Sequence, residues 1–228
     1  MTGRRLRFGL VAALVAIAMI AAACGSSGND KKNAAPSSSS TSTAAKPGVD
    51  SLELHAAMRK AWADHMQWTY ATVDAFFHDQ KALDPTLQRL LANQDDIGNA
   101  IKPFYGDAAG TQLTQLLRTH INEAVPVLKA AQAGDQAALK KAQDDWYANA
   151  QQIADFLTKA NPGNWPASAT GPALKMHIDQ TTTYSVDLVK ADYPAAIADY
   201  GKAFDHMMEV ADILANGIAK QFPDKVGN

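Results

Sequence analysis

His-Ile-Asn-Glu-Ala-Val-Pro-Val-Leu-Lys-Ala-Ala-Gln-Ala-Gly-Asp-Gln-Ala-Ala-Leu-Lys-Lys-Ala-Gln-Asp-Asp-Trp-Tyr-Ala-Asn, residues 120–149, is the stretch that decides the fold. Two runs rich in Ala, Leu, Gln and Lys meet at Gly134-Asp135, where glycine suits a helix C-cap and aspartate an N-cap. His120 lies about 14 residues before that turn and Asn149 about 14 after it. At about 1.5 Å per helical residue both sit roughly 21 Å from the turn, so an antiparallel hairpin places them side by side.

The same arrangement occurs three times, about 56 residues apart. His65 leads to Asn93 across Asp79, and His177 leads to His206 across Ala191-Asp192. The second member of each pair lies in a matching run: ANQDDIGNAI from Ala92, ANAQQIADFL from Ala148 and DHMMEVADIL from Asp205. Apolar residues at helical spacing fill every stretch between turn signals. No sustained alternation or Asn-Gly hairpin signal competes. The sequence therefore predicts an all-α six-helix bundle built from three repeated antiparallel helical hairpins.

Helices are expected over residues 50–79, from Asp84-Pro85 to before Pro103, from Asp107 to Gly134, from Asp135 to Asn161, from Pro172 to Lys190, and from Pro194 to Phe222. Pro126 is expected to kink the third and to free the carbonyl of Asn122 close to His120.

Each polar member of the repeat falls within an apolar stripe: Asn149 with Trp146, Ile153 and Phe156, and His206 with Ala203, Val210 and Ile213. Turned inward, such a group needs a partner, because leaving it unsatisfied costs about 1 to 3 kcal/mol. Two readings follow. In one, the His and Asn residues bond within each hairpin and fix its register. In the other, His65, His120, His177 and His206, supported by Asn93 and Asn149, hold a transition metal ion such as Zn, Cu or Fe, with Glu123 completing the set from one turn beyond His120.

No HExxH, CxxC or paired ExxH motif accompanies them. Met66, Met176 and Met207-Met208 beside three of the histidines would suit Cu(I), but adjacent helical residues diverge by about 100° and packing is their simpler use. Haem held non-covalently by two His is a further alternative; its covalent attachment motif is absent. His55 and His78 read as surface or helix-end residues, and the four tryptophans as packing. No nucleophile with its base and no phosphate-binding glycine loop is present, which leaves enzymatic catalysis without a residue set of its own.

The chain is sorted by its first 49 residues. Arg4, Arg5 and Arg7 precede an uncharged apolar run from Phe8 to Ala23, too short to span a bilayer comfortably. It ends Ala21-Ala22-Ala23-Cys24-Gly25, which resembles the lipobox of bacterial lipoproteins, with Ala21 where Leu is more usual. The resemblance implies a signal peptide over residues 1–23, cleavage before Cys24, and lipidation of Cys24 by diacylglyceryl and palmitate-type chains. It also implies a location on the outer face of the cell membrane, with the membrane itself as partner. Cys24 is the single cysteine, so no internal disulfide is available.

Residues 24–49 are Ser, Thr, Ala, Asn and Lys with almost no large apolar side chain, which reads as a tether. Residues 50–228 are long enough for one helical-bundle domain. The helical part resembles uncharacterised bacterial helical-bundle proteins with His-centred helices, a likeness that implies no activity. Loss of three arginines and no acid with the signal would lower the formal charge from -2 to about -5, which with the lack of a Lys/Arg run excludes a nucleic-acid surface. The alternative to a metal-binding module is a structural or protein-interaction lipoprotein with a purely structural His-Asn layer.

Overall fold

The computed structural model describes residues 48–227. The expected signal peptide, Cys24 and the tether up to residue 47 lie outside the described residues.

Six helices make up the bundle: α1 (Ser51–His78), α2 (Gln80–Tyr105), α3 (Asp107–Ala133), α4 (Gln136–Ala160), α5 (Ala167–Val189) and α6 (Tyr193–Gln221). Aspartates start four of them. Asp50, Asp79, Asp135 and Asp192 each accept backbone N–H groups of the first turn, satisfying donors that have no partner within the helix. Gly134 closes α3 in the left-handed conformation, φ 67°, where a side chain would be strained. Two differences from expectation concern proline. α2 begins at Gln80 under an Asp79 cap rather than at Pro85, and α5 begins at Ala167 rather than at Pro172.

Helices run through Pro85, Pro103, Pro126 and Pro172. The carbonyls that lose an N–H partner belong to Lys81, Asn99, Asn122 and Ser168, all exposed residues, so water can replace the missing bond. Asn122 is thus on the outer side of α3, away from the position expected beside His120.

Consecutive helices pack against one another, and α1 packs on α6 to close the ring. The odd-numbered helices α1, α3 and α5 also touch each other across the middle. The core is largely apolar, with Met58, Trp62, Met66, Ile97, Leu117, Trp146, Ile153, Trp165, Ile178, Leu188, Met207 and Ile218 among its buried residues, and is interrupted by buried His and amide side chains. At one crossing glycine is required by close approach. A Cβ added to Gly98 of α2 would stand 2.6 Å from the carbonyl oxygen of Gly110 in α3, and one added to Gly110 would stand 2.6 Å from that of Gly98. Two residues at each end, β1 (Val49–Asp50) and β2 (Val226–Gly227), pair in parallel and tie the ends of the domain together. That pairing is too short to show alternation in the sequence.

Candidate functional site

The repeat resolves into two kinds of residue. The second members act alike on the backbone of the partner helix. Asn93 Nδ2 donates to the carbonyl of Ala61 at 3.0 Å, Asn149 Nδ2 to that of Leu116 at 3.2 Å, and His206 Nε2 to that of Ala173 at 2.9 Å. Each acceptor lies four residues before the histidine of its pair. The carbonyl there already takes the helical N–H of that histidine, and its second lone pair takes the side chain from the neighbouring helix. Three hairpins are therefore clipped at one equivalent point, which is how a duplicated register device behaves.

The first members gather in the centre. His65, His120 and His177 are 2, 4 and 3 % exposed. The His177 ring lies 5.6 Å from that of His65 and 5.9 Å from that of His120, centroid to centroid, and is nearly parallel to the latter. Trp62 meets His65 edge-on, and Trp146 lies against His120 with 5.0 Å between centroids. Their helices are the odd-numbered ones, which reach the middle of the ring.

Burial opposes the imidazolium form of all three. It lowers the His65 pKa to about 3, with neighbouring His120 adding to the effect, and that of His120 to about 4 against the opposing effect of its hydrogen bond to Asn149. His177 is lowered well below its ordinary value, by burial first and then by the fields of His65, His120 and His206. The layer is thus neutral imidazole at physiological pH, the form that ligates metals and both donates and accepts hydrogen bonds.

Hydrogen bonding sets the tautomer of His120. Asn149 gives its N–H to Leu116, so its Oδ1 faces His120 Nδ1 at 2.9 Å and must accept; His120 carries its proton on Nδ1 and a lone pair on Nε2. Gln94 is oriented by its 2.7 Å bond from Nε2 to the Leu90 carbonyl, and the second hydrogen of the same Nε2 lies between Asn93 Oδ1 at 3.3 Å and His65 Nδ1 at 3.4 Å. His177 Nδ1 and Trp146 Nε1 are buried without a partner among the described residues.

These three histidines form part of the wall of a cavity of about 350 Å³, within the range of small-molecule pockets. Leu83, Leu87, Leu90, Ile121, Val125 and Leu128 line its body; exposed Gln80 and Lys129 and half-buried Phe76 mark its outer end, and Thr181, Trp146 and the three imidazoles its buried end.

Two of the expected ligands lie elsewhere. Glu123 lines a separate opening with Asp145, Asn149 and Gln152, and burial together with Asp145 raises its carboxyl pKa. A residue three positions beyond His120 is turned by about 60° around the helix, enough to leave the central layer. His206 is half-buried and committed to Ala173, and Ile213, expected to share its inward stripe, is 47 % exposed. Among the described residues no three His, Cys, Asp or Glu side chains are disposed around one point as a metal-ligand set. His55 bonds Asn216 and His78 bonds Asp74, both away from the layer.

Gln94 is the residue that sequence reading passed over. Its slots in the other two hairpins hold Ala150 and Met207, both buried. A lone amide in an otherwise apolar slot was the available signal. Comparison of the chain with family models, curated proteins and solved structures returns no match, so the functional reading rests on this geometry.

Proposed function

We propose that this protein is a lipid-anchored, extracytoplasmic binding module whose ligand occupies the cavity that ends at His65, His120 and His177. The observation that carries the reading is the meeting of three neutral, buried imidazoles in the wall of a cavity large enough for a small molecule. An apolar enclosure with a few polar groups at one end is the usual form of such sites. Unpartnered polar atoms at His177 Nδ1 and Trp146 Nε1 add to it, because a purely structural layer would be expected to satisfy its own groups. The anchor rests on Arg4, Arg5 and Arg7, the apolar run that follows them and the lipobox-like Ala21 to Gly25. By composition, the Ser, Thr, Ala, Asn and Lys stretch that follows Cys24 is the tether between anchor and bundle.

A transition metal ion is a second reading, favoured by one observation. The Nδ1–H of His120 held by Asn149 is the outer-shell arrangement that presents Nε2 to a metal.

Native mass spectrometry of the untagged mature protein, challenged in turn with a small-molecule fragment set and with Zn(II), Cu(I) or Fe(II), tests both. One-to-one occupancy that disappears in the cavity-filling variant Ala124→Trp is the expected result. Absence of any stoichiometric adduct, or adducts indifferent to Ala124→Trp, would refute the binding reading. Stoichiometric metal lost in His120→Ala and His177→Ala would select the second.

A further inference from the structure

Several polar groups in the cavity wall have already committed their protons to the protein. His120 gives its Nδ1 proton to Asn149 Oδ1 at 2.9 Å, so its Nε2 holds only a lone pair. That nitrogen bonds nothing among the described residues and is not one of the unpartnered atoms sealed from open space; the open space that His120 borders is this cavity. Thr69 and Thr72 of the same wall give their hydroxyl protons to the carbonyls of His65 and Trp68, both at 2.7 Å, and are likewise left as acceptors. The fixed donor at the buried end, Trp146 Nε1, is itself sealed. No comparable bond fixes the protons of His65 and His177, so those rings adapt to a ligand instead of selecting one. Charge is restricted as well. No Asp, Glu or Arg lines the cavity, and its one formally charged residue, Lys129, stands exposed at the outer end. An ion carried to the buried end would lose its hydration with no counter-charge to offset the loss.

Resting on the reading of this cavity as a binding site, we infer that its ligand is a compact, neutral, largely apolar molecule that donates an N–H or O–H group to His120 Nε2. The body of the cavity agrees, since Leu83, Leu87, Leu90, Val125 and Leu128 offer only hydrocarbon. A volume of about 350 Å³ is near the lower end of small-molecule pockets, which suits a fused bicyclic ring. A molecule that can only accept would cover the His120 lone pair and leave it unmet, and that loss selects against it. Asn149 is the positioning residue. Its own N–H is spent on the Leu116 carbonyl, so its oxygen takes the Nδ1 proton and makes the nitrogen on the cavity side an acceptor.

The test compares indole, which carries an N–H donor, with 1-benzofuran, the same bicyclic frame with a ring oxygen and no donor. Each is titrated by calorimetry into the full mature chain carrying Cys24→Ala, in EDTA, so that neither lipid nor metal competes. We expect saturable one-to-one binding of both, with indole about tenfold tighter, the discrimination expected when a buried acceptor is satisfied rather than left open. His120→Phe should bring the affinity ratio towards one while retaining 1-benzofuran. Should that variant fail to fold, Asn149→Leu should lower the same ratio, because Nε2 is then free to carry the proton.

Equal affinity of the wild type for the two probes, or a preference for 1-benzofuran, would overturn the donor assignment and leave the cavity reading standing. A preference for indole that survives undiminished in His120→Phe or in Asn149→Leu would overturn His120 as the acceptor. No saturable binding of either probe would overturn the donor assignment and the cavity reading together.

Discussion

Acid should unfold this bundle through its centre, and the size of the effect follows from three residues. In the unfolded chain a histidine titrates near 6.5. In the folded protein His65 and His120 titrate near 3 and 4, and His177 well below 6.5. The unfolded state therefore binds more protons throughout the interval between those values, and stability is complete above pH 6.5 and falls as the pH drops towards the folded values. From pH 7 to pH 5 His65 and His120 each remove about 2 kcal/mol, together about 4 kcal/mol, and His177 acts in the same direction; an ordinary domain has a total stability of about 5 to 15 kcal/mol. Glu123 acts in the opposite direction, because its raised carboxyl pKa means that the folded state takes its proton more readily. It is only partly shielded from water, which weakens its effect.

Urea unfolding followed by circular dichroism at pH 7, 6 and 5 measures the loss, and His177→Phe should reduce it. A change below about 1 kcal/mol between pH 7 and pH 5, or a pH dependence untouched by His177→Phe, would show that the imidazoles take up protons without unfolding and that the layer is wetter than its burial implies.

Three other outcomes are expected. Asn149→Leu leaves the His120 Nδ1–H without its acceptor and the Leu116 carbonyl without its clip; it should lower urea stability by about 1 to 3 kcal/mol, more than the exposed control Asn99→Leu. Gly98→Ala puts a Cβ 2.6 Å from the Gly110 carbonyl and should force α2 and α3 apart, lowering the thermal midpoint by an amount equivalent to about 1 to 3 kcal/mol, while Gly171→Ala, whose Cβ would meet Gln151 Oε1 at an ordinary 3.5 Å, should not. Cys24→Ala should abolish incorporation of radiolabelled palmitate and move the protein from the membrane fraction to the medium, with circular dichroism unchanged.

Much of this was legible locally. Asp50, Asp135 and Asp192 lie where helices start, and Gly134 where one stops, because capping depends on a few neighbouring residues. Prolines misled the reading of α2 and α5, since a proline ends a helix only where the carbonyl it deprives has no water to turn to, and exposure is a tertiary property. The spacing of His120 and Asn149 pointed to a contact across the hairpin, and 2.9 Å separates them. Spacing could not distinguish Asn93 from Gln94, which are adjacent in α2; only the packing of α1 on α2 turned the second towards His65 and the first towards Ala61.

The sequence by itself determined six helices, their pairing into three hairpins and a polar layer at equal distance from each turn, because period, caps and repeat are properties of short stretches. Tertiary structure alone decided which members of that layer meet. Closing the ring through α1 and α6 brings the odd-numbered helices into mutual contact, so His65, His120 and His177 converge while His206 and Glu123 are directed elsewhere. The tautomer of His120 belongs to the same level. It arises from an amide oriented by a carbonyl of the bundle, and no inspection of a histidine in a linear chain reveals on which nitrogen its proton rests.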